Sequence, residues 1–149
     1  MRKHSEDQVT KRFTRLDFHD DNLRLVTIHP PKTRHDTTTM EFEFEDDETG
    51  AKKLLSFHSC GNVRFLMDFD VLADNWFAQT KGLHASANAQ EMRKIISSQL
   101  AHWRTSYMPP LPPDKPVRKK LNSIRKSRKF KIKFFGGTVE ILAKSFKLK

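Results

Sequence analysis

Apolar and polar side chains alternate with a period of two along several stretches of this chain, and that period is the signature of strands with one buried face. In the first, Leu23, Leu25 and Thr27 alternate with Arg24, Val26 and Ile28 until Pro30-Pro31, which lack backbone donors, end the run. In the second, Met40, Phe42 and Phe44 alternate with Glu41, Glu43 and Glu45, giving one apolar and one acidic face. Turn formers at 46–50 lead into the apolar run 54–57, so these two runs predict an antiparallel hairpin. Cys60-Gly61-Asn62 predicts another turn, after which Val63, Phe65 and Met67 alternate with Arg64, Leu66 and Asp68. Near the other end Phe130, Ile132 and Phe134 alternate with Lys129, Lys131 and Lys133, and Gly136-Gly137 separates them from Val139, Ile141 and Ala143. A Gly-Gly pair between alternating runs predicts a hairpin closed by a type I′ turn, because glycine reaches positive φ without steric cost.

The period changes at residue 88. Asn88 with Glu91 forms a capping pattern, and Met92, Ile95, Ile96, Leu100, Trp103 and Tyr107 recur at helical spacing. They predict an amphipathic helix over 88–107, about five turns long. A proline-rich connector, 109–117, ends it and favours extended backbone. Segment 76–85 has no clear period, and Gly82 reads as a break. The polar start, 1–21, reads as frayed. Together these elements predict one α+β domain over 1–149: an antiparallel sheet of about five or six strands packed on the long helix, with a C-terminal β-hairpin.

Composition narrows the function classes. The 149 residues are 36 % apolar and 31 % charged, which is globular rather than disordered. A single cysteine, Cys60, cannot form an intramolecular disulfide or a thiolate metal cluster. No apolar stretch approaches the roughly 18 residues of a membrane span, and the charged start lacks the apolar core of a secretory signal. The expectation is a cytoplasmic protein without membrane insertion.

The net charge of +10 is unevenly placed. Residues 1–103 carry 14 Lys and Arg against 16 Asp and Glu, whereas 104–149 carry 14 against 2. Within 118–133 stand Arg118, Lys119, Lys120, Arg125, Lys126, Arg128, Lys129, Lys131 and Lys133. Such density can neutralise phosphates and release their counterions, which makes this segment a candidate nucleic-acid surface. The interleaved Phe130 and Phe134 are spaced to face a core rather than to stack on bases. An acidic protein partner would also suit it.

Two constellations invite a chemical reading. His19-Asp20-Asp21 has the side chains of a metal or proton-transfer site, but no further ligand motif at recognisable spacing, so a turn capped by Asp20 or Asp21 is the simpler reading. His58 and Cys60, two apart, could share a face as base and nucleophile, yet no orienting carboxylate follows, which favours a buried structural thiol. No catalytic residue, metal site or cofactor is therefore assigned. The stripe Glu41, Glu43, Glu45 reads as a solvated outer sheet face.

Phe18-His19-Asp20 before the first strand, the run Leu55-Ser56-Phe57-His58-Ser59-Cys60, then Asn62-Val63-Arg64-Phe65 and the ending from Phe130 to Ala143 resemble a group of small uncharacterised bacterial β-rich domains. Several of these are toxin-immunity-like. The resemblance covers roughly half of the chain and carries no site residue across. What it implies is a non-enzymatic protein-interaction module, with a nucleic-acid-binding accessory protein as the alternative the basic segment suggests.

Overall fold

In the second alternating run, the apolar half of the pattern becomes the middle of the core. Met40, Phe42 and Phe44 are all buried, and the glutamates between them face outward. The computed structural model describes residues 7–33, 36–68, 78–87 and 127–149, with Lys94, Ser97, Ser98 and His102. One short helix, α1 (Gln8–Thr14), precedes eight strands: β1 (Asn22–His29), β2 (Thr39–Glu45), β3 (Lys52–His58), β4 (Asn62–Met67), β5 (Thr80–Ser86), β6 (Arg128–Phe134), β7 (Gly137–Ala143) and β8 (Ser145–Leu148).

These strands form two four-stranded antiparallel sheets, ordered β1-β2-β3-β8 and β4-β7-β6-β5. The architecture corrects the expected single sheet on a long helix. Each sheet buries its apolar face against the other, and the one helix described end to end is the seven-residue α1. Apart from four isolated positions, the segment 88–107 lies outside the described residues, as do the proline-rich connector 109–117 and the basic stretch up to 126.

The sheets are joined at a corner. Strand β3 runs through Ser59-Cys60-Gly61 into β4, and β7 runs through Lys144 into β8, so one strand pair bends from the first sheet into the second. Gly61 N–H donates to the Leu142 carbonyl at 2.8 Å and Lys144 N–H to that of His58 at 3.1 Å, which keeps the pairing unbroken around the bend. A second tie links the start of β1 to β5: Asp20 N–H donates to the Thr80 carbonyl at 3.0 Å, and Thr80 N–H to that of Asp21 at 2.9 Å.

Aromatic rings fill the space between the sheets. Phe57 and Phe130 lie 5.3 Å apart, Phe130 and Phe146 5.8 Å, and Phe44 stacks on Phe134 at 6.5 Å. Helix α1 lies against β5, β6 and β8 and inserts Phe13 edge-on to Phe130 and Phe146, at 4.9 and 5.1 Å. Seven residues are too few to hold a helix alone, so burial of Phe13 and the Asp7 cap, which accepts from Thr10 N–H at 2.9 Å, hold it.

Three local details differ from the alternation read in the sequence. A bulge between Leu23 and Leu25 makes Arg24 the extra residue, so Val26 and Ile28, opposite Phe42 and Met40, turn inward with Leu23 while Leu25 turns out. A second bulge between Thr80 and Gly82 lies in β5, where Gly82 had read as a break. The β6–β7 hairpin pairs Phe134 with Gly137, so its loop is Phe135-Gly136, and neither residue has the positive φ of a type I′ turn. Glycine is required instead at Gly137, whose φ is +152°: a Cβ there would stand 1.9 Å from the Leu66 carbonyl oxygen of β4.

Candidate interaction surfaces

Four of the nine basic residues of the segment 118–133 are described, Arg128, Lys129, Lys131 and Lys133, and they do not act alike. Arg118, Lys119, Lys120, Arg125 and Lys126 lie outside the described residues. Arg128 points into the structure: its guanidinium donates to the Asp7 carboxylate and the Lys144 carbonyl, tying β6 to the cap of α1 and to the β7–β8 junction. Burial pushes the Asp7 carboxyl up, but the Thr10 N–H and the Arg128 charge outweigh it and hold the group below the usual carboxylate value. Lys131 stands 3.9 Å from Glu140, which also meets Arg64 at 3.4 Å. Lys129 and Lys133, on the same outer face of the second sheet, have no carboxylate partner among the described residues.

The acidic stripe on the first sheet is matched at each step by a basic side chain from a neighbouring strand. Glu41 meets His29 at 3.3 Å, Glu43 meets Lys52 at 3.7 Å and Glu45 meets Arg24 at 3.3 Å. Half-exposed pairs of this kind add little stability, but the Arg24 and Lys52 charges offset much of the field that a basic partner would feel.

Neither chemical constellation assembles. His19 pairs with Asp20 at 2.9 Å in the open, while Asp21 turns inward to the Lys53 ammonium at 2.8 Å with its side chain only 3 % exposed. The loop is held by the links to Thr80 and by the Asp17 carboxylate, which accepts from His19 N–H at 3.3 Å, rather than by the Asp20 or Asp21 side chains as caps. Lys53 was not singled out by its sequence context. It occupies an inward position opposite Phe44, and its amine spans the edge of the core to reach Asp21, 5.0 Å above the Phe18 ring. Cys60 donates its thiol to the Phe57 carbonyl at 3.3 Å, and burial raises its pKa to about 11, so it is protonated at neutral pH. Among the described residues no group of three or more His, Cys, Asp or Glu side chains converges as metal ligands, and no helix is long and apolar enough to cross a membrane.

Among the described residues two grooves stand out, at strand edges. One, of about 330 Å³, runs between β1 and β4 and is walled by Leu23, Val26, Phe65, Met67 and Val139. Beside it Ile28 and Phe65 occupy inward-facing positions, opposite Met40 and Val139, yet are 61 % and 52 % exposed. Leu25 and Leu66, at 54 % and 75 %, extend the apolar surface to the outer faces of the same strands. The other groove, of about 440 Å³, lies between α1 and β8 and is lined by Arg12, Arg15, Leu16, Phe146, Lys147 and Leu148.

No family model matches this chain, and no curated protein or solved structure is similar to it. The site is therefore defined by its own geometry: two terminal strands with apolar side chains exposed between them, β1, whose edge away from β2 is met among the described residues only by the Asn22–Gln79 bridge, and β4, paired among the described residues with β7 alone. Its residues were visible in the sequence as strand residues. Their exposure was not, because period two distinguishes the faces of a strand and not whether another layer covers one of them.

Proposed function

We propose that the protein is a non-enzymatic protein-interaction module that binds an apolar, strand-forming segment of a second protein along β1 and β4. The observation that carries this reading is that Ile28 and Phe65 point toward the space between the sheets and stay more than half exposed. Contiguous exposed apolar surface marks interaction sites, and an edge strand offers unpaired backbone groups to an incoming strand. The high thiol pKa of Cys60 and the separation of His19 and Asp20 from Asp21 support a binding role over a catalytic one. A toxin neutralised in the manner of immunity proteins is the partner class to which the sequence resemblance points.

The test compares capture of partners from the native host by the wild type and by the Ile28→Asp and Phe65→Asp variants. Both side chains are exposed, so both variants should fold. The reading predicts one protein held at near-stoichiometric yield by the wild type and lost by both variants. Capture of the same protein by all three, or of nothing specific by the wild type, removes it.

A second reading rests on the outer face of the second sheet, where Lys129, Lys131 and Lys133 line up and two of them lack a carboxylate partner among the described residues. In this reading the face binds nucleic acid together with the five basic residues before it. Affinity for a short duplex should then fall steeply with salt, and Lys129→Ala with Lys133→Ala should flatten that slope by about two phosphate contacts. No retardation at low salt would eliminate it.

A further inference from the structure

Most of the described cations on the sheets have found a carboxylate: Arg24, Lys52, Lys53, Arg64, Arg128 and Lys131 are all ion-paired. The groove between α1 and β8 is different. Arg12, Arg15 and Lys147 line it, and among the described residues no carboxylate does and none of the three has an ion-pair partner. The Arg12 guanidinium lies 5.3 Å over the Phe146 ring, which holds it at the groove wall. The carboxylate nearest in sequence, Asp17, is turned to the His19 N–H.

The remaining lining is apolar, Leu16, Phe146 and Leu148, and β8 is hydrogen-bonded only to β3, so its other edge has no strand partner among the described residues. Along β8 the faces alternate. Phe146 lies opposite the core residue Phe57 and Leu148 opposite Leu55, whereas Lys147 lies opposite Ser56 on the outer side. A strand added to the free edge keeps this alternation, so every second side chain falls on the apolar lining and those between fall beside Lys147. With Arg12 and Arg15 on the helix side, the acceptable charge for the second set is negative.

The geometry points to a second docking slot, separate from the β1/β4 cleft, that takes an extended segment of a partner protein in which apolar and acidic residues alternate. It deepens the protein-binding reading and rests on it for the class of partner. Three cations around an apolar floor suit a peptide better than a nucleic acid, whose affinity grows with the number of phosphates met along a track.

The probe is a fluorescein-labelled octapeptide of alternating leucine and glutamate, titrated with the full chain and followed by anisotropy. Binding is expected to weaken about tenfold or more in Arg15→Glu and in Lys147→Glu, while Lys147→Arg retains it. Replacing the peptide's leucines by serine, or its glutamates by lysine, is expected to abolish binding. Ile28→Asp should leave it unchanged, so the slot can fail while the cleft stands, and the cleft can fail while the slot stands. Arg15 and Lys147 are exposed, and unchanged thermal unfolding shows that their variants fold. Equal binding by wild type, Arg15→Glu and Lys147→Glu overturns the slot. So does tighter binding of a twelve-nucleotide oligothymidylate that the same two substitutions abolish, because the groove would then be a nucleic-acid site.

Discussion

Strands β2 and β1 lie side by side and both carry apolar residues on the inner face, yet that face is fully covered in β2 and only in part in β1, where Leu23 and Val26 pack on the core. Met40, Phe42 and Phe44 are covered by the second sheet, while Ile28, directly opposite Met40, is mostly exposed. The same contrast separates β7 from β4: Val139 is fully buried, and its partner Phe65 is not. Chemistry does not distinguish the two sets. Position does, because central strands have a neighbour on both sides and a sheet in front, whereas β1 and β4 are the ends of their sheets. A fold that leaves inward-facing apolar residues uncovered at two strand edges presents a surface that a partner can complete.

Truncation should make this contrast measurable. Phe57→Ala or Phe130→Ala should cost about 3–5 kcal/mol, the usual loss for a buried phenylalanine. Phe65→Ala should cost under about 1 kcal/mol despite equal volume removed, because most of that surface is already wet. Urea denaturation checks both, and similar losses at Phe65 and Phe130 would break the comparison.

The next effect tests how close β4 stands to the β6–β7 hairpin. Gly137→Ala places a methyl group on the Leu66 carbonyl and forces φ into a region that side chains avoid, for a loss of about 2–3 kcal/mol. Gly82→Ala has no such demand, since a Cβ there meets nothing within 4 Å, and its midpoint should hardly move. A smaller loss is expected where Asp21 meets Lys53: Asp21→Ala leaves an ammonium at the core edge without its partner, at about 1–3 kcal/mol, less than a fully buried pair because Lys53 is partly solvated. The double variant Asp21→Ala with Lys53→Met should recover part of that loss.

The smallest effect is acid sensitivity at the α1 cap. Asp7 is held below its ordinary value of 3.8, so its contribution is complete above that pH and is lost as pH falls through the lower folded value. Asp7→Asn should therefore be less stable than wild type at neutral pH, and the gap between them should narrow below pH 3.8. A gap that stays constant would show that the carboxylate charge is not what holds the cap.

Much of the fold was legible strand by strand. The runs that became β2 and β6 announced themselves because large apolar side chains alternate with charged ones, and those that became β1, β3, β4 and β7 because short apolar-rich runs are bounded by turn formers. Strand β5 did not, since Thr80, Gly82 and Ala85 give little hydropathy contrast and Gly82 stands at a bulge, which is one of the two meanings of a glycine within a strand. Strand β8 is four residues long, too short for periodicity. Helix α1 offered Asp7 as a cap and Val9, Phe13 and Leu16 at helical spacing, a signal that the surrounding charge obscured. Those two strands, β5 and β8, raise the count from six to eight and allow a second sheet, so overlooking them changed the predicted architecture. The candidate surfaces were harder still. Whether Arg128 is a ligand-binding cation or a structural one depends on Asp7, 121 residues away, and no local pattern reports that.

Amide hydrogen exchange of the complex with the captured protein tests the central claim most directly, because it reads which strand edges the partner covers. The account predicts slowed exchange in Asn22–His29 and Asn62–Met67 on binding, and no such slowing with Phe65→Asp. Protection confined to β5 and β6, with both edge strands exchanging as in the free protein, would contradict it.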